Sequence, residues 1–262
     1  MWNEVARSYA EHVHPVTALY VEDALRLASP APDERVLDVA CGAGAVAFPA
    51  AAKGNEVLAI DVAQAFVDMV QKRARAEGLH NLTAKVMDGQ ALRVPDASFD
   101  VVLSNFGAFL FPDRSRGFRE MWRVLRPGGR AVVTSFVGPP ENEWMALFGQ
   151  AARETFPDLA APSPRFLELA DADRFARELR EAGFADVQVE GIRQEATWPD
   201  AEAAWVALSE GAPVFRPILE RVGPEGARRM QEAFTALAEA RFGEGAVVLG
   251  APAHCAVARK GT

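Results

Sequence analysis

Between residues 35 and 137 short apolar segments alternate with helix-length ones, and that alternation admits few folds. RVLDVA, EVLAID, LTAKVMD, FDVVLSNF and RAVVTSFV read as strands. Between them GAVAFPAAAKG, AQAFVDMVQKRARAEG (ending at Gly78) and DRSRGFREMWRVLRPGG read as helices. In the last helix Phe118, Met121, Trp122 and Leu125 form the buried stripe, and Pro127, Gly128 and Gly129 are expected to stop it. Strands separated by helices predict an α/β protein with a doubly wound, mostly parallel sheet. With 262 residues, half of them hydrophobic, the chain has enough apolar matter for one such domain.

The flanks break this rhythm. Trp2, Val5, Tyr9 and Val13, followed after Pro15 by Leu19, Val21, Ala24, Leu25 and Leu27, predict two helices forming an N-terminal cap over residues 1–30. The cofactor-binding core is expected at 33–137. Residues 138–170 hold a helix around ENEWMALFGQAARETF and a proline-rich loop, before DADRFARELREAG resumes the alternation. VQVEGIRQEAT and AVVLGAPAHCAVARK complete a seven-stranded sheet with an antiparallel edge, and roughly three helices lie between Trp198 and Gly243. The insertions at 138–170 and 198–243 are expected to form a substrate lid on a single 1–262 domain. Trp144, Trp198, Trp205, Phe215 and Phe234 fit either an apolar roof or ordinary helix amphipathicity.

Composition narrows the partners. Twenty-eight basic against 36 acidic residues give a net charge of -8, with no Lys/Arg-rich block, which argues against nucleic acid or anionic lipid and for a small-molecule substrate. Two cysteines, Cys41 and Cys255, provide neither a disulfide framework nor metal-ligand spacing. The N-terminus lacks a signal pattern and no apolar run reaches bilayer length, so a soluble cytoplasmic monomer or homodimer is expected.

The segment VLDVACGAGAVAFPAA sets the chemistry. Gly42, Gly44 and Ala47 fit a G-x-G-x-x-G/A turn after a strand, and Asp61 follows at the distance that a dinucleotide fingerprint expects. Taken alone the turn says NAD. Asp38, at the end of the first strand, argues otherwise, because a carboxylate there repels a pyrophosphate and attracts an ammonium or sulfonium group. Asp61 at the second strand tip can accept from both ribose hydroxyls. Asp88 at the third can accept from an adenine amine, with the backbone of Gly89, Gln90 and Ala91 closing that edge. A ligand cationic at one end, with a ribose in the middle and adenine at the other, is S-adenosylmethionine. Ala40, Cys41, Val62 and Met87 adjoin these positions and complete the expected contact set.

VLDVACGAGAVAFPAA, VLAIDVAQAFVDMV, AKVMDGQALRVPDASFDVVLSNFGAFLF and EMWRVLRPGGRAVVTSF together resemble the successive motifs of class I S-adenosylmethionine-dependent methyltransferases. The group similar to ubiquinone/menaquinone-biosynthesis and other small-molecule methyltransferases is nearest. The resemblance covers about residues 33–137 in order and spacing and implies a Rossmann-like methyltransferase fold, with S-adenosylhomocysteine as the product of the cofactor. WNEVARSYAEHVHP resembles the N-terminal segment of that group, whose aromatic residue closes over the cofactor, a position that Tyr9 would fill. Residues 138–262 match only in general layout.

The remaining candidates are weaker. Cys41 has no neighbouring His or Lys to lower its pKa and is set aside as a nucleophile. Asn105 either lines the cofactor at the fourth strand tip or caps the next turn. His12 and His14 fall at the cleft mouth as possible bases or surface residues; His80 and His254 are expected to be structural. Phe106 and Phe109 are expected to line the substrate pocket, Phe111 to pack in the core. No catalytic residue and no metal site is assigned. Two alternatives stand beside a small-molecule methyltransferase: an NAD-dependent oxidoreductase, and a noncatalytic S-adenosylmethionine-binding protein.

Overall fold

The computed structural model describes residues 2–159, 164–212 and 214–262, the side chains of 164–166 apart; part of the proline-rich loop expected after α7 lies outside them. Three helices come first: α1 (Trp2–His12), α2 (His14–Ala18) and α3 (Val21–Ala28). Two were expected. Pro15 sits in the first turn of α2, where its missing N–H costs nothing, so it opens a helix as well as breaking one.

The alternation then runs β1 (Arg35–Val39), α4 (Ala47–Ala52), β2 (Glu56–Asp61), α5 (Gln64–Ala76), β3 (Leu82–Val86), β4 (Phe99–Asn105), α6 (Arg114–Val124) and β5 (Leu125–Phe136). After it come α7 (Glu143–Thr155), α8 (Ala172–Glu181), β6 (Ala185–Ile192), β7 (Glu195–Trp198), α9 (Ala201–Val206), a π-helical turn at Ala207–Gly211, α10 (Arg216–Phe242), β8 (Val247–Gly250) and β9 (Ala253–Arg259). Seven strands form one sheet in the order β3-β2-β1-β4-β5-β9-β6. All pairs from β3 to β5 are parallel, and β9 runs antiparallel to both of its neighbours. The antiparallel strand is therefore one place in from the edge. β4 is buried on both faces along nearly its whole length, as a central strand covered by helices must be.

Three local differences from the sequence pattern have physical causes. The helix α6 ends at Val124, before Pro127-Gly128-Gly129, which instead loop out of the ladder: Phe99 pairs with Leu125 and Val101 with Arg130. The Lys260 ammonium terminates the helix by donating to the carbonyls of Trp122 (3.0 Å), Arg123 (3.3 Å) and Leu125 (2.7 Å). Each predicted C-terminal strand splits in two, β6 with β9 in the main sheet and β7 with β8 in a separate two-stranded ribbon. Finally α10 is kinked at Gly223, whose φ of +71° precedes Pro224.

The polar ties that hold these layers are partly buried. The Arg114 guanidinium, at the start of α6, donates to Glu178 of α8 and to Glu168, fastening the stretch after α7 to the sheet's helical layer. No helix among the described residues is long and apolar enough to cross a membrane.

Candidate active site

The chain reverses its direction of strand addition at β1, which lies between β2 and β4, and ligands of open α/β sheets bind beyond the strand ends at such a point. A cleft of about 360 Å³ opens there. Its floor is Ala40, Gly42, Asp61 and Gly107; one wall is Val62, Met87, Asp88, Gly89 and Gln90; the other is Phe106, Leu110, Phe111 and Pro112. Trp2, Tyr9 and Phe66 cover it.

The backbone is shaped for close approach. Ala40 and Gly42 have φ of +56° and +51°, and a Cβ on Gly107 would lie 2.5 Å from the Ala40 Cβ, so the tips of β1 and β4 nest without a side chain between them. Gly44 serves packing and not the ligand: a Cβ there would meet the Phe48 ring at 2.6 Å. Gly89 likewise makes room for the Phe111 ring.

Two carboxylates lie beneath this floor. Asp61 is buried and its oxygens accept from the amides of Gly42 (3.0 Å) and Ala63 (2.9 Å), which fixes the carboxylate while each oxygen keeps a further lone pair for the cleft. Burial nevertheless raises its pKa, the amides of Ala63, Gly42 and Val62 opposing the rise. Asp38 is 1 % exposed, its Oδ2 has no hydrogen-bond partner, and burial reinforced by the charge of Asp61 raises its pKa to about 7. It faces a small recess beside the cleft, together with His14, Thr17, Cys41 and Asn105. Among the described residues no Lys or Arg lines either cavity. A buried carboxyl with one unpartnered oxygen beside a second carboxylate is suited to a cationic ligand and hostile to a pyrophosphate.

Tyr9 lies over the glycine turn, its Cε1 3.5 Å from where a Gly42 Cβ would stand, and its ring meets Phe66 edge-on at 5.4 Å. Burial pushes its hydroxyl up to about 12, so it stays protonated. Asp88 is exposed on the cleft wall and accepts from the Gln90 amide at 2.8 Å and side chain at 3.1 Å, while the Ala91 amide donates to its carbonyl. Ala91 itself closes that turn without lining the cleft.

Several expected positions turn out differently. Phe109 is buried with its ring on Phe136 and does not line the cleft, whereas Phe111 packs against the core, as expected, and also lines the cleft. The 3₁₀ turn Ala108–Leu110 buries Ala108 and Phe109 and leaves Leu110, Phe111 and Pro112 along the cleft wall. His12 packs near Gly211 of the π-helical turn, outside the cleft lining. His14 reaches the recess only, and burial lowers its pKa. Asn105 neither caps the next turn nor has a free amide: it donates to the Thr17 carbonyl and accepts from Thr134. Cys41 is buried, with its thiol raised well above the ordinary range by burial and by the two aspartates, so it is inert. Sequence reasoning missed Trp2, Phe66 and Leu110 as cleft residues; for Trp2 the helical stripe shared with Tyr9 was the available signal.

Residues 36–129 match the family model described as a methyltransferase domain. The chain is 36% identical over 212 residues to nocamycin O-methyltransferase of Saccharothrix syringae, covering 75% of each chain. It is 33% identical over 165 residues to the demethylmenaquinone methyltransferase of Deinococcus radiodurans, covering 57% of this chain and 67% of that protein. Among solved structures it resembles the YcgJ protein of Bacillus subtilis, with a TM-score of 0.62 at 18% identity over 92% of this chain and 98% of that one.

Proposed function

The chain belongs to the class I S-adenosylmethionine-dependent methyltransferases, and from that membership we propose that it methylates a small, largely apolar metabolite bound against the Phe106–Pro112 wall of the cleft. The observation that carries this reading is a cleft with the buried Asp61 carboxylate in its floor, the buried Asp38 carboxyl in the adjoining recess, and aromatic and aliphatic groups on the opposite wall. The dinucleotide alternative fails on the buried Asp38 carboxyl beneath the glycine turn and on the absence of Lys and Arg from the cleft lining among the described residues.

In this reading Asp61 holds the ribose hydroxyls, Asp88 and the Gly89–Gln90 backbone hold the adenine edge, and Val62 and Met87 pack against the ring. Asp38 and the backbone of Ala40 to Gly42 face the methionine end, where a positive charge lets Asp38 ionise. The cofactor, when bound, supplies a methyl carbon activated by its sulfonium. What the chain adds is alignment and exclusion of water: the Tyr9, Trp2 and Phe66 rings close the mouth, and aromatic faces favour a cation by about 0.5–2 kcal/mol. Tyr9 stays protonated and His14 lies off the cleft, so no described cleft residue serves as a base; the acceptor is one that needs little deprotonation by the protein. The described helices of 138–170 and 198–243, expected as a lid, contribute no residue to the cleft lining and pack into the main core as support for it.

A turnover screen with S-adenosylmethionine across apolar hydroxyl, amine, thiol and carbon acceptors tests this, read as S-adenosylhomocysteine and methylated product. Equimolar formation of both with at least one acceptor class is expected. Tight S-adenosylhomocysteine binding with no turnover in any class would instead identify a noncatalytic binding protein.

A further inference from the structure

The tip of β4 carries an arrangement that cofactor contacts alone do not explain. Phe106 has φ +57°, a conformation that bulky residues avoid unless their surroundings impose it. There its ring lines the cleft and stacks on Phe136, centroids 4.1 Å apart, with the Tyr20 ring edge-on at 4.8 Å. What holds the backbone in place is polar. The Phe106 amide donates to the Thr134 hydroxyl at 2.8 Å; that hydroxyl donates to Asn105 Oδ1 at 2.9 Å; and Asn105 Nδ2 donates to the Thr17 carbonyl at 2.9 Å. A hydroxyl has one hydrogen, so giving it to Asn105 leaves a lone pair for the Phe106 amide, and the direction of every bond in the series is fixed.

The series starts in β5, crosses the tip of β4 and ends in the helical cap. Thr17 is joined to Tyr9, the ring that covers Gly42, through the backbone: the Thr17 amide donates to the Val13 carbonyl at 3.0 Å and the Val13 amide to the Tyr9 carbonyl at 2.9 Å, while the Thr17 hydroxyl donates to the His14 carbonyl. Thr134 is 1 % exposed, which removes water as a substitute partner. At its other end the cap is tied by the Ala65 amide donating to Asn3 Oδ1 at 3.0 Å and by Trp2 and Tyr9 against Phe66.

We propose that Thr134 and Asn105 are positioning residues for the transfer: their hydrogen-bond relay seats the cap over the donor end of the cleft and, through the same bonds, holds the Phe106 ring at the boundary between donor and acceptor. Neither side chain touches the reacting atoms. Both act through others, Thr134 on Phe106 and Asn105 on Thr17 and, by the backbone bonds of Val13, on the helix that carries Tyr9. The inference rests on the reading that this cleft takes S-adenosylmethionine.

The test is calorimetric binding of S-adenosylhomocysteine to the whole chain, with unfolding temperatures taken in parallel. Thr134→Val removes the hydroxyl at nearly constant volume, Thr134→Ser keeps it, and Asn105→Ala cuts the cap from the sheet. Thr134→Val and Asn105→Ala are expected to weaken binding by about tenfold, the effect of one lost buried hydrogen bond, while Thr134→Ser stays within about threefold of the unaltered chain. Unaltered binding by Thr134→Val or by Asn105→Ala would overturn the relay, as would Thr134→Ser binding as weakly as Thr134→Val. If Thr134→Val does not fold, the partly exposed Asn105 position decides between these outcomes. Failure of the underlying cofactor reading is separate and visible, because the unaltered chain would then not bind S-adenosylhomocysteine.

Discussion

The outermost helix of the N-terminal cap, α1, and the helices α7, α9 and α10 are held by different forces, while α2 and α3 join the main core through Val16, Val21 and Leu25. α1 buries only Ala6, and its seat is a small cluster of Ala6, Ala63 and Phe66 apart from the main core, with Trp2, Tyr9 and Met69 at its margin. α7, α9 and α10 instead send Trp144, Phe148, Trp205 and Phe234 into the main core, where the rings pack on one another and on Trp198 and Phe215. A covering that admits a ligand must open at low cost, and few buried apolar contacts with several polar ties provide that. The aromatic helices are built as scaffold, which is why their rings follow amphipathicity.

The largest effect that would sharpen this contrast is on stability. Phe234→Ala, at a fully buried ring, is expected to cost about 3–5 kcal/mol in denaturant unfolding, whereas Trp2→Ala should leave unfolding within about 1 kcal/mol and weaken S-adenosylhomocysteine binding. Equal losses in both would erase the distinction between scaffold and cap.

Asp38 places a second difference under the cap. Its pKa in the fold, about 7, lies above the ordinary 3.8, so the native state favours the protonated carboxyl. The resulting stability is fully present below about pH 4 and is lost as pH rises through 7, at up to about 1.4 kcal/mol per pH unit. Relative to an Asp38→Asn variant, the ligand-free protein should lose stability between pH 5 and 8 in urea titrations. Parallel pH curves would mean that the carboxyl is already ionised without a ligand.

Asp61→Ala should weaken cofactor binding by about 1–3 kcal/mol, the cost of leaving ribose hydroxyls unpaired, as read by calorimetry. Unchanged affinity would remove Asp61 from the ribose. The smallest effect belongs to Tyr9→Phe, which deletes the hydroxyl and keeps the ring over Gly42: S-adenosylhomocysteine affinity within about 1 kcal/mol of the unaltered chain is expected, a smaller loss than for Tyr9→Ala.

How much of this was legible in the sequence follows from what kind of signal each part leaves. The five parallel strands and the positions of Gly42, Asp38 and Asp61 are local: a strand, a turn and a carboxylate at the strand end lie within a few residues of one another. The inner place of β9 is not local, because it depends on which edge a returning strand pairs with, and both edges have the same period. The burial of Phe109 away from the cleft is not legible because a three-residue 3₁₀ turn carries no periodicity to read. The role of Asn105 was hidden for a different reason: its partners, Thr17 and Thr134, are 88 and 29 residues away, and the sequence offers no pattern that joins them. The α6 terminus was placed late because Pro127-Gly128-Gly129 fits a helix stop as well as it fits the loop that Lys260 closes.

Amide exchange of the whole chain with and without S-adenosylhomocysteine tests most directly the claim that the donor binds beneath the N-terminal cap. Slowed exchange over residues 2–18 and 40–44, with little change in α7 and α10, is the result predicted. Protection confined to α7 and α10, with the cap exchanging as before, would contradict it.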